Sequence, residues 1–246
     1  MEKINQLKKL INNYNLDGYI VPKNDEFFGE YISEGKDRLK FISNFSGSYG
    51  FALITKKKNY LFVDGRYTLQ AKIQSGTLFK IITIPGKFPS DIIKKKLKIG
   101  FDPKIHTQKS LNIFFNKNKF QLNPINNNLV DKIWIRKKSN NHNKFNILPK
   151  KAVGKNYKLK IKKLISILNQ KKVDFHFVSA AENVAWILNI RGKDSNFTPI
   201  PNSYLTISSE GEINLFCDLK KINNSFKKKF TGIRIIDIGK ISLFLS

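Results

Sequence analysis

Hydrophobic and polar positions at the start of the chain follow first a helical and then a strand pattern. The opening apolar residues recur at helical spacing, at Ile4, Leu7, Leu10, Ile11 and Tyr14. This spacing predicts an amphipathic helix, because residues three and four apart share one helical face. The uninterrupted run at 18–21 that follows predicts a buried strand.

The same alternation continues through the first half of the chain. Apolar runs at 49–54 and 60–63 predict two strands, joined as a hairpin across the polar residues 55–59. Further helices are predicted at 66–73, 88–97 and 107–116, and further strands at 78–84 and 98–101. Helices that alternate with strands in this way predict an α/β fold.

Several short segments occur twice. Three pairs share an offset of 154 residues, namely 8–11 with 162–165, 61–64 with 215–218, and 81–84 with 235–238. A fourth pair, 41–47 with 186–192, has an offset of 145. Ordered self-similarity is the signature of repeated structural units. We therefore predict two domains of one fold, at 1–150 and 156–246.

The repeat also predicts where the second copy stops. Position 246 corresponds to position 92, which lies inside the predicted helix 88–97 of the first copy. We expect the second domain to be truncated and to expose an unpaired sheet edge with apolar surface. The alternative is a second domain that is shorter by nature.

The basic composition suggests a nucleic-acid partner, but its low arginine content argues against recognition of specific bases. The chain carries 45 Lys and Arg against 18 Asp and Glu, a formal charge of +27, but only five of the basic residues are Arg. Base-edge recognition favours Arg. The lysine runs at 56–58, 94–96 and 227–229 are interpreted as solvated surface. Salt-sensitive, nonspecific binding of polyanions remains the expectation at low ionic strength.

The remaining composition concerns compartment and chemistry. Cys217 is the one cysteine, which excludes a disulfide framework and fits a reducing compartment. No apolar run has the length of a membrane span and the N-terminus lacks a signal-peptide core, so we expect a cytoplasmic protein without membrane contact. His106, His142 and His176 are far apart and show no metal-ligand spacing. We therefore predict no catalytic residue and no metal ligand in this chain, and interpret His176 and Cys217 as structural strand residues.

Two loops carry candidate functional residues. Arg66 follows Asp64 at the end of a predicted strand, and arginine suits carboxylate recognition. The competing interpretation is that Asp64 only caps the next helix. The second loop holds Arg191, Asp194 and Tyr204 in a proline-bearing insertion, which could equally be an ordinary surface excursion.

The motifs at these positions resemble one protein family. The segments that carry the likeness are Asp17–Pro22, Arg38–Gly50, Asp64–Tyr67, Gly100–Pro103, Asn128–Trp134 and Ala181–Gly192. Together they resemble the opening of the three-domain Xaa-Pro aminopeptidases, the aminopeptidase P family. The resemblance implies two tandem creatinase-type N-terminal domains, each a mixed sheet flanked by helices, with the second copy incomplete.

The resemblance also implies a third, catalytic domain of pita-bread fold, which binds two manganese ions and cleaves the first peptide bond when proline is second. None of its metal ligands can be assigned here, so no cofactor is expected in this chain. In the family the N-terminal domains restrict the substrate entrance, and the resemblance places Arg66, Arg191, Asp194 and Tyr204 nearest to it. Lys193 and 195–197 depart from the family pattern.

Three functions follow. The leading hypothesis is the non-catalytic front portion of a cytoplasmic Xaa-Pro aminopeptidase, which would contact peptide substrate through the catalytic domain and could form a homodimer at full length. The second is a free-standing assembly or regulatory module for a separately encoded catalytic chain. The third is a basic polyanion-binding protein.

Overall fold

A computed structural model describes residues 1–115, 120–136 and 143–245. The chain divides into two compact units, one comprising Met1–Glu26 with Glu34–Lys138 and the other Phe27–Ser33 with Ser139–Ser246. Among the described residues, no helix has the length and apolar character needed to cross a bilayer.

The first unit is built around a six-stranded mixed sheet. Its helices are α1 (Glu2–Asn13), α2 (Arg38–Ser43), α3 (Thr68–Ser75), α4 (Pro89–Ile92), α5 (Gln108–Phe115) and α6 (Leu129–Ile133). Its strands are β1 (Gly18–Pro22), β2 (Gly50–Thr55), β3 (Asn59–Asp64), β4 (Lys80–Ile84), β5 (Leu97–Phe101) and β6 (Phe120–Pro124). The strand order is β4-β3-β2-β1-β5-β6, in which β2 is antiparallel to both neighbours and all other pairs are parallel.

Helices cover both faces of this sheet. Tyr19 and Val63 pack into one apolar cluster, while Ile20, Phe51 and Phe62 pack into a second cluster on the opposite face. Successive strand residues point to opposite faces. Burial of both faces therefore explains why the sequence shows uninterrupted apolar runs rather than alternation.

The second unit has a smaller sheet. Its helices are α7 (Tyr157–Lys171), α8 (Ala181–Leu188), α9 (Asn224–Lys229) and α10 (Ile241–Phe244). Its strands are β7 (Asn146–Ile147), β8 (Phe175–Val178), β9 (Ile190–Arg191), β10 (Ser203–Ser208), β11 (Ile213–Cys217) and β12 (Arg234–Asp237). The main sheet has the order β12-β11-β10-β8, and β7 pairs with β9 separately.

The predicted duplication is confirmed by topology and register. The order β12-β11-β10-β8 repeats β4-β3-β2-β1, with the same parallel and antiparallel pairings. Leu61 is paired with Ile81 in the first sheet, and Leu215 with Ile235 in the second. These residues are separated by the predicted offset of 154.

One predicted correspondence between the copies is wrong. At the end of α1, Leu16 N–H donates to the Ile11 carbonyl, and at the end of α7 Val173 N–H donates to the Leu168 carbonyl in the same way. These equivalent bonds are 157 residues apart, not 154. The identical four-residue segments of the two helices are therefore three residues out of structural register. A composition rich in lysine and isoleucine supplies such matches without structural equivalence.

The predicted helix 88–97 is also wrong over its second half. The helix α4 ends at Ile92, and Ile93 already has an extended backbone. From Leu97 the chain forms β5, which pairs with β1. Residues 93–96, three of them lysines, form an irregular connection that leads from α4 into β5.

The predicted domain limit at 150 differs from the division in the structure. Phe145 lies in the apolar cluster of the second unit, and its N–H donates to the Lys221 carbonyl. Strand β7 pairs with β9 of the same unit. Residues 143–150 therefore pack with the second unit.

Candidate functional site at the loop 192–202

Arg66 lies at the carboxyl end of β3, in a tight turn that leads into α3. The Asp64 carboxylate accepts hydrogen bonds from the Arg66 backbone N–H at 3.0 Å and from its Nε at 2.9 Å. The hydrogen bond from the Arg66 side chain holds the pKa of Asp64 below its ordinary value. The Arg66 side chain is 75% exposed, so much of the guanidinium faces solvent. Asp64 thus caps the turn, and Arg66 is available to a ligand.

The second unit contains the same cap without the arginine. Asp218 follows β11 directly and accepts a hydrogen bond from the Lys220 backbone N–H at 2.9 Å. Lys220 stands where Arg66 stands in the first copy. The cap is therefore a property of the repeated fold, whereas the exposed guanidinium is particular to the first unit.

The loop after β9 folds back tightly on itself. Gly192 N–H donates to the Pro199 carbonyl at 3.1 Å, and Asp194 N–H donates to the Ile200 carbonyl at 3.3 Å. A Cβ atom on Gly192 would lie only 2.6 Å from the Pro201 Cα. Glycine is required here because the returning strand approaches the backbone closely.

Asp194 anchors this loop. One carboxylate oxygen accepts a hydrogen bond from the Asn202 N–H at 2.7 Å, and the other forms an ion pair with the Lys221 ammonium. Only 6% of the Asp194 side chain is exposed. A carboxylate so enclosed and paired holds the loop in place. Nothing in the local sequence pattern indicates its partner Lys221, which is 27 residues away.

Arg191 closes the end of α8. Its Nη1 donates to the Ile190 carbonyl at 2.8 Å and to the Ala185 carbonyl at 3.4 Å. Burial, together with the nearby positive charge of Arg191, lowers the pKa of Lys160, which donates to Asn189 Oδ1 at 2.6 Å. Arg191 itself is half-buried, and its guanidinium is engaged with these backbone carbonyls.

Tyr204 belongs to an aromatic surface formed with the segment Phe27–Ser33. Its ring stacks on Phe27 with 5.1 Å between centroids, and a Phe177 ring lies 5.7 Å away. Beyond it, Phe197 meets Tyr31 edge-on at 5.3 Å. Phe27, Tyr31 and Phe197 were not predicted as site residues. The sequence feature that could have identified them is the occurrence of aromatic residues in two otherwise polar, irregular segments.

The four predicted site residues therefore have different surroundings. Arg66 belongs to the first unit, and Arg191, Asp194 and Tyr204 to the second. In the second unit Asp194 and Arg191 fix the loop, while Tyr204 contributes to an aromatic surface. Such an arrangement can bind an extended apolar or peptide group by contact, while the Asp194 carboxylate is already paired with Lys221.

The carboxylates of a polar cluster in the first unit are paired internally, although the buried Nη1 of Arg38 has no hydrogen-bond partner among the described residues. Arg38 is buried and donates to both oxygens of Asp131 at 2.7 and 2.8 Å and to Glu26 at 2.7 Å. Desolvation opposes ionisation of Glu26, but the ammonium of Lys36 and the Arg38 guanidinium outweigh it and lower the pKa of Glu26 to about 2. These carboxylates serve the ion-pair network of the fold.

Metal and nucleophile chemistry find no support among the described side chains. Within residues 1–115, 120–136 and 143–245, no group of three His, Cys, Asp or Glu side chains is placed to hold a metal ion. Cys217 is fully buried in β11, as expected of a strand residue, and burial raises the pKa of its thiol to about 12. His176 lies in β8, and His142 falls outside the described residues.

Comparison with known families matches both units. A model of the creatinase/prolidase N-terminal domain matches residues 3–126, and a second model of the same description matches residues 136–246. The two matches follow the two units and the internal repeat.

Known relatives extend the comparison. The chain is 33% identical over 230 residues to a probable Xaa-Pro aminopeptidase P of Coprinopsis cinerea, covering 89% of this chain and 37% of that protein. It is 30% identical to Xaa-Pro aminopeptidase 1 of Dictyostelium discoideum, covering 99% of this chain and 42% of that protein. The crystal structure of the X-prolyl aminopeptidase of Caenorhabditis elegans, described as a cytosolic enzyme with a di-nuclear active site, superposes with a TM-score of 0.91 at 27% identity. That match covers 99% of this chain and 43% of the nematode chain.

Proposed function

Because this chain belongs to the creatinase/prolidase N-terminal domain family, in the form found in Xaa-Pro aminopeptidases, we propose that it is the N-terminal, non-catalytic portion of such an enzyme. The whole enzyme removes the first residue from peptides with proline second. The two units described here shape peptide access and assemble with a catalytic domain that holds two manganese ions. A cytoplasmic location accompanies this proposal, since the nematode relative is described as cytosolic.

The observation that carries the proposal is a set of exposed apolar residues in and next to β8 of the second unit, whose counterparts in the first unit are buried. In the first unit β1 pairs with β2 on one side and β5 on the other, and Leu16 and Ile20 are buried. Their equivalents at the offset of 157 are Val173, 43% exposed, and Phe177, 39% exposed. Among the described residues β8 pairs with β10 alone.

A second pair of equivalents gives the same result on the helical side. Phe41 of α2 stacks on Trp134, with 4.6 Å between ring centroids. Its equivalent in α8 is Trp186, whose only ring contact among the described residues is with the Lys160 ammonium. Trp186 is 61% exposed. A largely exposed tryptophan and an open strand edge are each typical of surfaces that another segment covers.

The chemistry of the proposed enzyme comes from the catalytic domain. Two metal ions bound there would supply a hydroxide nucleophile. The described residues of this chain do not fit such a site. They contribute groups that position the peptide, namely the Arg66 turn and the aromatic surface around Tyr204.

The test combines this chain with the part of Dictyostelium Xaa-Pro aminopeptidase 1 that has no counterpart in it. We expect this chain alone neither to bind manganese stoichiometrically in calorimetry nor to cleave an Xaa-Pro peptide. Mixed with the catalytic part, it should co-elute in size-exclusion chromatography, and Trp186→Ala should weaken that association. Manganese-dependent turnover by this chain alone would contradict the non-catalytic role, and failure to associate would contradict the assembly role.

Arg66 is tested within the active mixture. Arg66→Ala should reduce kcat/KM for an Xaa-Pro peptide by about tenfold to a hundredfold, the value of one charge-assisted hydrogen bond. The matched control is Lys220→Ala at the equivalent turn of the second unit, which should leave kcat/KM unchanged. Equal effects of the two substitutions on kcat/KM would show that Arg66 has a structural role and does not contact the peptide.

A further inference from the structure

Two of the three lysine runs meet at one place in the first unit. Lys56–Lys58 form the turn between β2 and β3, and 94–96 precede β5. Both runs adjoin β1 because Gly18 pairs with Thr55 of β2 and with Ile99 of β5. The sheet order therefore converts two distant sequence runs into one basic surface.

Hydrogen bonds fix this juxtaposition. Asp17 N–H donates to the Lys98 carbonyl at 2.8 Å, and the Asp17 carboxylate accepts from the Lys98 N–H at 2.9 Å. The Asp17 carbonyl accepts from the Lys56 N–H at 3.2 Å. Asp17 thus ties the hairpin turn to the start of β5.

The two runs border a cavity of about 350 Å³. Its rim carries Lys56, Lys57, Lys58, Lys94 and Lys95, and Asp17 is its one acidic lining residue. All five lysines are exposed, and Lys56 approaches Asp17 at 3.6 Å. Five lysines and one aspartate leave a formal charge of +4 around the opening.

The floor of the cavity is apolar. It is formed by Ile92, Ile93 and Leu97, with Tyr60 at one side. Tyr60 also packs toward Phe62 of the core, with 6.3 Å between ring centroids. The cavity offers no arginine fork for base edges and no pair of aromatic platforms for stacked bases. Aliphatic side chains below a basic rim suit a peptide that alternates acidic and aliphatic residues.

We propose that this cavity is a docking site for an acidic peptide segment of a partner protein, anchored by an aliphatic side chain. The carboxylates of the segment pair with the lysines of the two runs, and its aliphatic side chain lies on Ile92 and Leu97. This site is independent of peptide hydrolysis and of the surface around Trp186. It refines the expectation of diffuse polyanion binding, since the third lysine run, 227–229, lies on α9 of the other unit.

The test measures binding of a fluorescein-labelled ten-residue peptide that alternates glutamate and leucine. Fluorescence anisotropy is recorded at about 50 mM salt and repeated at higher salt, where ion pairing is screened. The triple variant Lys57→Gln, Lys58→Gln, Lys94→Gln should weaken binding by about tenfold, since three exposed ion pairs are lost. The matched control replaces Lys227, Lys228 and Lys229 by Gln. It removes the same charge and should change the affinity by less than about twofold.

Two further probes separate the alternatives. A peptide with serine in place of leucine should bind about tenfold more weakly, because it loses the contact with the apolar floor, and equal binding of the two peptides would overturn the aliphatic anchor. Equal losses in the two lysine triples would overturn the site, because binding would then follow overall charge. A single-stranded oligonucleotide of equal charge that binds more tightly, with the same lysine dependence, would overturn the peptide assignment in favour of a nucleic-acid site.

Discussion

Asp194 is a single residue on which the whole 192–202 loop depends. Its carboxylate is nearly enclosed and satisfies both the Lys221 ammonium and the Asn202 N–H. Asp194→Ala should lower the free energy of unfolding by about 3–5 kcal/mol, because it leaves a largely buried ammonium without its partner. Urea unfolding measures the loss. The double variant Asp194→Ala, Lys221→Ala should recover part of it, and a single-variant loss below about 1 kcal/mol would contradict the anchoring role.

His106 makes the first unit sensitive to acid. It is buried, with Nδ1 at 2.9 Å from the Asp102 carbonyl, and burial lowers its pKa to about 4. The unfolded chain protonates this imidazole near pH 6.5, where the folded protein keeps it neutral. The unfolded state therefore binds more protons between about pH 6.5 and 4, and stability falls as the pH drops through that range.

The matched variant isolates this contribution. Between pH 7 and 5 the native protein should lose about 2 kcal/mol more stability than His106→Gln, as measured by urea unfolding at each pH. Asp102 and Glu26 titrate in both proteins, so their contributions cancel to first order. Identical pH dependence of the two proteins would show that His106 is not kept neutral by the fold.

At the scale of elements, the sequence predicted those strands whose two faces are both buried. Runs such as 60–63 are apolar throughout because alternate residues face the two helical layers. The second half of the predicted helix 88–97 is wrong because residues 93–96 form an irregular connection, which brings the chain to β5 beside β1. The alternative interpretation of Asp64 as a cap needed only local sequence, and the structure contains that cap.

Contacts between distant segments were beyond sequence reasoning. Nothing in the spacing of charges pairs Asp194 with Lys221, and nothing in the aromatic pattern pairs Phe27 with Tyr204. Both contacts exist only once the sheet has brought separate loops together. The predicted register of α7 was wrong for the opposite reason, because the identical sequences at 8–11 and 162–165 were taken as structurally equivalent.

The loop after β9 supplies the prediction at this scale. A Cβ on Gly192 would lie 2.6 Å from the Pro201 Cα and 2.9 Å from the Ile200 carbonyl oxygen, both backbone atoms. Gly192→Ala should therefore displace the loop and cost about 1–3 kcal/mol in chemical denaturation. Gly154→Ala is the matched control, because no atom lies within 4 Å of its added Cβ. Equal stability of the two variants would contradict the close approach.

At the scale of the whole molecule, the two duplicated units differ in the number of strands and in the apolar packing of their sheets. The first sheet has six strands with an apolar cluster on each face. The second main sheet has four described strands, and its apolar cluster joins β8, β10 and β11 to α7 and α8. Its opposite face includes the buried polar pair Thr206 and Asn214, which are joined by a hydrogen bond at 3.2 Å.

This asymmetry predicts the order in which the two units open. Amides in Leu215–Ile238 should exchange with solvent faster than those in Leu61–Ile84, and amides of β8 faster than those of β1, because fewer partners must separate. Hydrogen exchange read by mass spectrometry measures both comparisons in one sample. The paired segments occupy equivalent places in the two sheets, so the position of each strand within its sheet is controlled.

If a catalytic domain covers the surface around Trp186, its addition should slow exchange in β8 and leave β1 unchanged. Equal protection of β1 and β8 in this chain alone would mean that the open edge carries no cost, and the argument for a covering segment would lose its energetic basis.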